Sequence, residues 1–142
     1  RKPEDFYKRI KADDQLSTHL KSKFKREKVF FQTGTDSREL KDNIDMYEFN
    51  SSEEAYHQLM NELGDLTIES INLVLPEIDD IENIYIAGGF SKNELFQNMI
   101  SKAYPSKFVY ASEIANGSAL GAAMVVSGSK SSLNLGLTRC KY

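Results

Sequence analysis

Ile84-Tyr85-Ile86-Ala87-Gly88-Gly89-Phe90-Ser91-Lys92-Asn93-Glu94-Leu95-Phe96 decides how this chain is read. A short apolar, β-branched run stops at a glycine pair, and a helix start follows at once. The run predicts a strand over Asn83 to Ala87, and its continuity predicts burial on both faces within a parallel or mixed sheet covered by helices. Ser91-Lys92-Asn93-Glu94 fits the capping-box pattern, so the next helix is expected to run through Leu95, Phe96, Met99 and Ile100 to about Ala103. A strand-glycine-helix corner suits a place where main chain must lie close to a bound group, because a Cβ would hold the ligand away. Amides at the helix start can donate to a phosphate, and the positive end of the helix dipole favours an anion there. Asn93 carries both an amide donor and a carbonyl acceptor, the pair an adenine edge requires. On the corner alone a plain tight turn explains the glycines equally well. The segment lacks Gly-x-Gly-x-x-Gly and is not a dinucleotide-binding fingerprint.

Downstream, Pro105 precedes an expected strand at Lys107 to Tyr110, and Asn116-Gly117-Ser118-Ala119-Leu120-Gly121-Ala122-Ala123 forms a second helix start built from small residues. That helix is expected from about Asn116 to Val126, with Gly128 and a Ser/Lys-rich stretch ending the fold. Ser118, Gly121 and Ala122, spaced three and four apart, would let it pack closely on a neighbour. Upstream, Ser51-Ser52-Glu53-Glu54 is another capping box. Ala55, Leu59, Met60, Leu63, Ile71 and Val74 then mark one apolar stripe, predicting a long helix from about Ser52 to Leu75 that Pro76 ends. From residue 51 onward the order is helix, strand, helix, strand, helix, an αβαβα core over 51–128. Such alternation predicts an α/β layered fold in which ligands collect at the carboxyl ends of strands. Gly88 and Gly89 fall at such an end.

The first fifty residues read differently. Phe6, Tyr7, Ile10, Leu16, Leu20 and Phe24 recur at helical intervals between Pro3 and about Glu27, within a basic segment over 1–28 whose charged face is expected to be solvated. Val29-Phe30-Phe31-Gln32-Thr33 predicts a strand and Met46-Tyr47-Glu48-Phe49 its short partner, making 29–50 hairpin-like. Residues 129–142 are expected to be a tail.

With 142 residues, 40% hydrophobic and 27% charged, the chain suits a single globular domain. A net charge of −3 argues against nucleic acid or an anionic membrane as partner. No apolar run approaches the ~20 residues that cross a bilayer, and the start has no signal-peptide core, so a cytoplasmic location is expected. Cys140 is the only cysteine, which leaves no disulfide framework and no cysteine metal site within the chain. His19 and His57 have no second histidine at metal-ligand spacing and are expected on a helix surface or half buried; no metal ligand is expected.

The glycine corner, followed after a short strand by Ser118 to Ala123, resembles the adenosine-motif region and last core helix of the FGGY carbohydrate kinases. These belong to the actin-like (ribonuclease H-like) ATPase superfamily, and the likeness, nearest to the rhamnulokinase and fuculokinase-like branch, spans about residues 51–128. It implies a C-terminal portion of a sugar kinase's second lobe, with helices packed on a mixed sheet. By this resemblance Gly88 and Gly89 lie beside the ribose and α-phosphate of ATP, and Asn93 lies next to adenine. Asn98 stands where many members have glutamine, and Asn116 where an acidic residue often precedes the small-residue run. Thr33-Gly34-Thr35 superficially resembles the family's second phosphate loop but lies too close to Gly88 in sequence for that role. The family's catalytic aspartate, its sugar site and most of its Mg²⁺ contacts belong to the N-terminal lobe, so no catalytic residue is expected in this chain and no turnover from it alone. Two other readings stay open: an acetate or glycerate kinase-like member of the superfamily, and a stand-alone interaction domain of this fold without nucleotide.

Overall fold

The computed structural model describes residues 6–24, 28–32, 39–75, 80–114, 116–127 and 136–140. They are α/β in class, with four α-helices and a three-stranded mixed sheet, and they fall into two compact units, Arg1–Glu77 and Ile78–Tyr142.

In the first unit a 3₁₀ turn at Phe6–Arg9 precedes helix α1, Asp14–Lys23. One or two amphipathic helices are expected here, and Asp13 caps the α-helix that forms, its Oδ1 accepting from the Leu16 amide at 2.9 Å. Leu20 is wholly buried while Lys21 and Lys23 face solvent, as the spacing requires. Helix α2, Ser52–Val74, starts at the expected cap: Ser51 Oγ accepts from the Glu54 amide at 3.1 Å. Glu54 does not close the box on Ser51. Its carboxylate accepts from the Asn50 amide at 2.6 Å and from the Asn50 side chain, bonds that hold its pKa below the usual carboxylate value. The helix stops at Val74, and the Leu75 amide closes the last turn on Ile71 O; Pro76 lies outside the described residues.

Residues 29–31 are not a regular strand. Phe31 forms a lone antiparallel bridge with Leu40, flanked by bonds from Gln32 N to Glu39 O and from Lys41 N to Phe30 O, each 2.8 Å. The amides of Val29, Phe30 and Phe31 donate instead to the Glu62 carboxylate of α2, at 2.6, 3.0 and 3.1 Å. Three successive amides of the expected strand are committed to this carboxylate, so the described pairing with residues 39–41 is confined to the Phe31–Leu40 bridge and the two bonds beside it. The strand's expected partner is also corrected: Met46–Glu48 is a 3₁₀ turn capped by Asp45, with Tyr47 fully exposed. Phe30, Phe31, Ala55 and Leu66 form the core here, with Val29, Ile44, Phe49, Leu59 and Leu63 packed on it.

The second unit is built on strands β1, Asn83–Ile86, β2, Phe108–Ser112, and β3, Leu137–Arg139, in the order β1-β2-β3. β1 and β2 are parallel, with Ile86 opposite Ala111; β2 and β3 are antiparallel, with Tyr110 opposite Arg139. The connection from β1 to β2 carries helix α3, Glu94–Ala103, whose Leu95, Phe96 and Ile100 are buried. Ile86, Val109 and Ala111 line one buried face of the sheet. The opposite face is open, with Tyr85 58% exposed, so the expectation that this strand is buried on both sides fails. Tyr85 stacks on Tyr110 across the strands at 5.5 Å, and the Arg139 guanidinium lies 4.4 Å above the Phe108 ring. β3 lies where a tail was expected. Gly136 enters it at φ 53°, where a Cβ would lie 3.1 Å from Glu113 Cβ, and its carbonyl accepts from the Glu113 amide.

Helix α4, Gly117–Ser127, has no buried residue; Val125 and Val126 are 83% and 89% exposed. Nothing lies within 4 Å of a Cβ placed at Gly121. The small-residue stripe therefore does not pack closely on a neighbour among the described residues, contrary to expectation. No described helix is long and apolar enough to cross a membrane.

Candidate functional site

The glycine corner sits at the carboxyl end of β1, directly after Ile86. Ala87 is still extended, and Gly88 then turns the chain at φ 77°, a left-handed conformation that costs any other residue steric strain. Among the described residues nothing lies within 4 Å of a Cβ built on Gly88 or on Gly89, so both positions border open space and no described side chain plugs either. A ligand lying there would meet bare main chain.

The segment after the glycines differs from expectation. Gly88–Lys92 is a 3₁₀ turn, and α3 begins only at Glu94. Ser91 is not the helix cap: its hydroxyl donates back to Gly88 O at 2.8 Å. Asn93 is the cap, its Oδ1 accepting from the Phe96 amide at 3.1 Å. The glycine pair tightens the chain into a 3₁₀ turn and so moves the first α-helical residue past the sequence pattern that marked it. Two consequences follow for ligand chemistry. The dipole of α3 begins several residues beyond the glycines, so an anion at Gly88 and Gly89 meets main-chain amides of a short turn, not the head of a long helix. The carbonyl oxygen of Asn93 is committed to capping, so an acceptor for an adenine amino group is not what this side chain offers first.

The corner is braced from within its own unit. Asn93 N donates to Phe90 O at 3.1 Å, Gln97 Nε2 donates to Ser91 O at 2.7 Å, and the Phe90 and Phe96 rings stack at 4.7 Å. Gln97 was not singled out by sequence reasoning; its place one turn after the cap is the only signal that could have found it. The structure also brings the two sequence motifs together, for a Cβ on Gly117 would lie 3.9 Å from Ala87 Cβ. The head of α4 thus adjoins the residue that leads into the glycines. Gly88, Gly89 and Asn93 share one corner; Asn98, on α3, is half buried, and Asn116 is exposed. Thr33, Gly34 and Thr35 lie outside the described residues.

Of the two histidines, His19 is exposed and His57 is completely buried, deeper than its sequence setting suggested. Among the described residues no group of three His, Cys, Asp or Glu side chains could hold a metal ion. Cys140 is half buried; its amide donates to Val109 O at 2.9 Å, and burial pushes its thiol pKa up, with a backbone hydrogen bond at Ala111 acting the other way.

No protein-family model matches the chain, and neither does any curated protein or solved structure.

Proposed function

We propose that this chain is the adenosine-binding portion of an ATP-dependent carbohydrate kinase, with the actin-like fold that its sequence resembles. The observation that carries the reading is the open main-chain corner at Gly88 and Gly89, set at the carboxyl end of a parallel strand with the head of α4 beside it. The ribose and α-phosphate of the nucleotide rest against the two glycines. Asn93 fixes the corner by capping α3, and the resemblance sets this residue beside adenine. The uncovered apolar surface of α4 fits a portion of a larger fold, since a helix hydrophobic all round is normally buried. Bound ATP with Mg²⁺ supplies the transferable phosphoryl group; the metal contacts, the sugar and the aspartate that would take the sugar hydroxyl's proton belong to the other lobe of such an enzyme. Phosphoryl transfer depends chiefly on positioning and charge stabilisation, so this portion alone has no turnover.

ADP titration read by calorimetry tests the reading with Gly89→Ala as the probe. A Cβ at this position meets no described atom within 4 Å, so the substitution leaves folding intact while it intrudes on the ligand. The expected result is ADP binding by the parent chain that weakens at least about tenfold in Gly89→Ala, a loss of about 1.4 kcal/mol. Asn93→Ala serves less well because it also removes a helix cap. The uncovered α4 and the open aromatic sheet face favour a second reading, an interaction domain of this fold without nucleotide. Absence of ADP binding, or binding indifferent to Gly89→Ala, decides for it.

A further inference from the structure

Beside its buried Ala55, Met60 and Leu66, helix α2 also buries His57, Gln58, Asn61 and Glu62. Glu62 is engaged by the amides of residues 29–31, but three atoms on the same helix are buried and reached by no hydrogen-bonding group among the described residues: His57 Nε2, Gln58 Oε1 and Asn61 Oδ1. An unmet buried polar atom costs about 1–3 kcal/mol, so three on little more than one helical turn are not neutral decoration. Their hydrogen-bonding character is set by what the other end of each side chain does. Asn61 Nδ2 donates to Ser17 O at 3.2 Å, which makes Oδ1 an acceptor. Gln58 Nε2 donates to Glu62 Oε1 at 2.9 Å, which makes Oε1 an acceptor too. His57 Nδ1 faces the Ser17 hydroxyl at 3.3 Å; when that hydroxyl donates, the ring hydrogen resides on Nε2. Asn61 follows His57 by four residues and Gln58 by three, the two spacings that make side chains neighbours on a helix surface.

We propose that His57, Gln58 and Asn61 together bind one internal water molecule, which completes the contact between α1 and α2. The stoichiometry selects water: it accepts one hydrogen bond, from His57 Nε2–H, and donates two, to Gln58 Oε1 and Asn61 Oδ1, the number of bonds that buried waters typically make. With the opposite imidazole tautomer all three atoms would be acceptors, and the same cluster would suit a small cation. The Ser17 hydroxyl can donate to Nδ1 or accept from it, so the tautomer of His57 separates the two, and hydrogen on Nε2 belongs to water.

The test uses the full chain. Long-range proton–nitrogen NMR of ¹⁵N-histidine protein at about pH 8, where imidazole is ordinarily neutral, reads the tautomer of His57, with His19→Gln assigning the two rings. The expected result is hydrogen on Nε2; hydrogen on Nδ1 overturns the proposal. Oxygen-17 relaxation dispersion, which detects water held inside a protein, is expected to show a long-lived water that is lost in Asn61→Leu. Should that variant fail to fold, Gln58→Leu is measured in the same way. A folded variant that retains an undiminished long-lived signal overturns the proposal as well.

Discussion

Removing the Glu62 carboxylate is expected to be among the most damaging single changes to the first unit. Its two oxygens accept from the amides of Val29, Phe30 and Phe31 and from Gln58 Nε2. In Glu62→Ala the Phe30 and Phe31 amides stay buried with no acceptor. At about 1–3 kcal/mol for each buried donor left unmet, these two alone predict a loss of about 2–6 kcal/mol. That is a large part of the ~5–15 kcal/mol that holds an ordinary domain together. Glu62→Gln keeps an acceptor for Phe30 and Phe31 and gives up the one shared by Val29 and Gln58 Nε2, so it should cost less, about 1–3 kcal/mol. Urea denaturation followed by circular dichroism gives the totals from the shift in midpoint at constant slope. Amide hydrogen exchange locates the effect, with protection at Phe30 and Phe31 expected to collapse in the Ala variant and survive in the Gln variant. A Glu62→Ala protein within about 1 kcal/mol of the parent, or one whose Phe30 and Phe31 amides remain protected, would refute the reasoning that these donors depend on the carboxylate.

The glycines of the corner should separate by backbone conformation. Gly88→Ala puts a side chain at φ 77° and should lose about 1–2 kcal/mol by thermal denaturation, whereas Gly89→Ala should leave the melting temperature in place; equal melting of the two contradicts the account of the turn. Burial raises the Cys140 thiol pKa, so its reaction with a disulfide reagent should be slower than that of free cysteine near pH 8 and should rise only at higher pH. The linked stability has a definite sign. With the folded pKa above the unfolded one, the contribution is full below the unfolded value and is lost as pH rises through the folded value. A reactivity profile centred at the ordinary thiol pKa would remove the argument.

Local signals were legible wherever a short-range rule had no competitor. Ser51 announced the start of α2, and Asn83 to Ile86 announced a strand, because a cap needs one oxygen three residues from one amide and an apolar run needs only a covered face. The same kind of signal misled at Ser91, where the glycine pair imposed a 3₁₀ turn and handed the cap to Asn93. It misled again at Val29 to Phe31, where a carboxylate some thirty residues distant takes the amides. β3 gave no signal at all, since three exposed residues beyond a glycine carry no periodicity to read.

The sequence by itself determined the class of the protein, α/β, the limits of the long helix, and the glycine pair placed at the end of a strand, because each follows from contacts within a few residues. Only the tertiary structure decided that the corner is open among the described residues, that Gly117 comes up beside Ala87, that α2 buries four polar side chains beside its apolar ones, and that α4 and one face of the sheet are exposed. Those facts depend on what lies across the fold from each residue, and hydrogen-bond partners separated by tens of positions leave no trace in local spacing. Whether a glycine serves a turn or a ligand is settled in space, by what its missing Cβ would have touched.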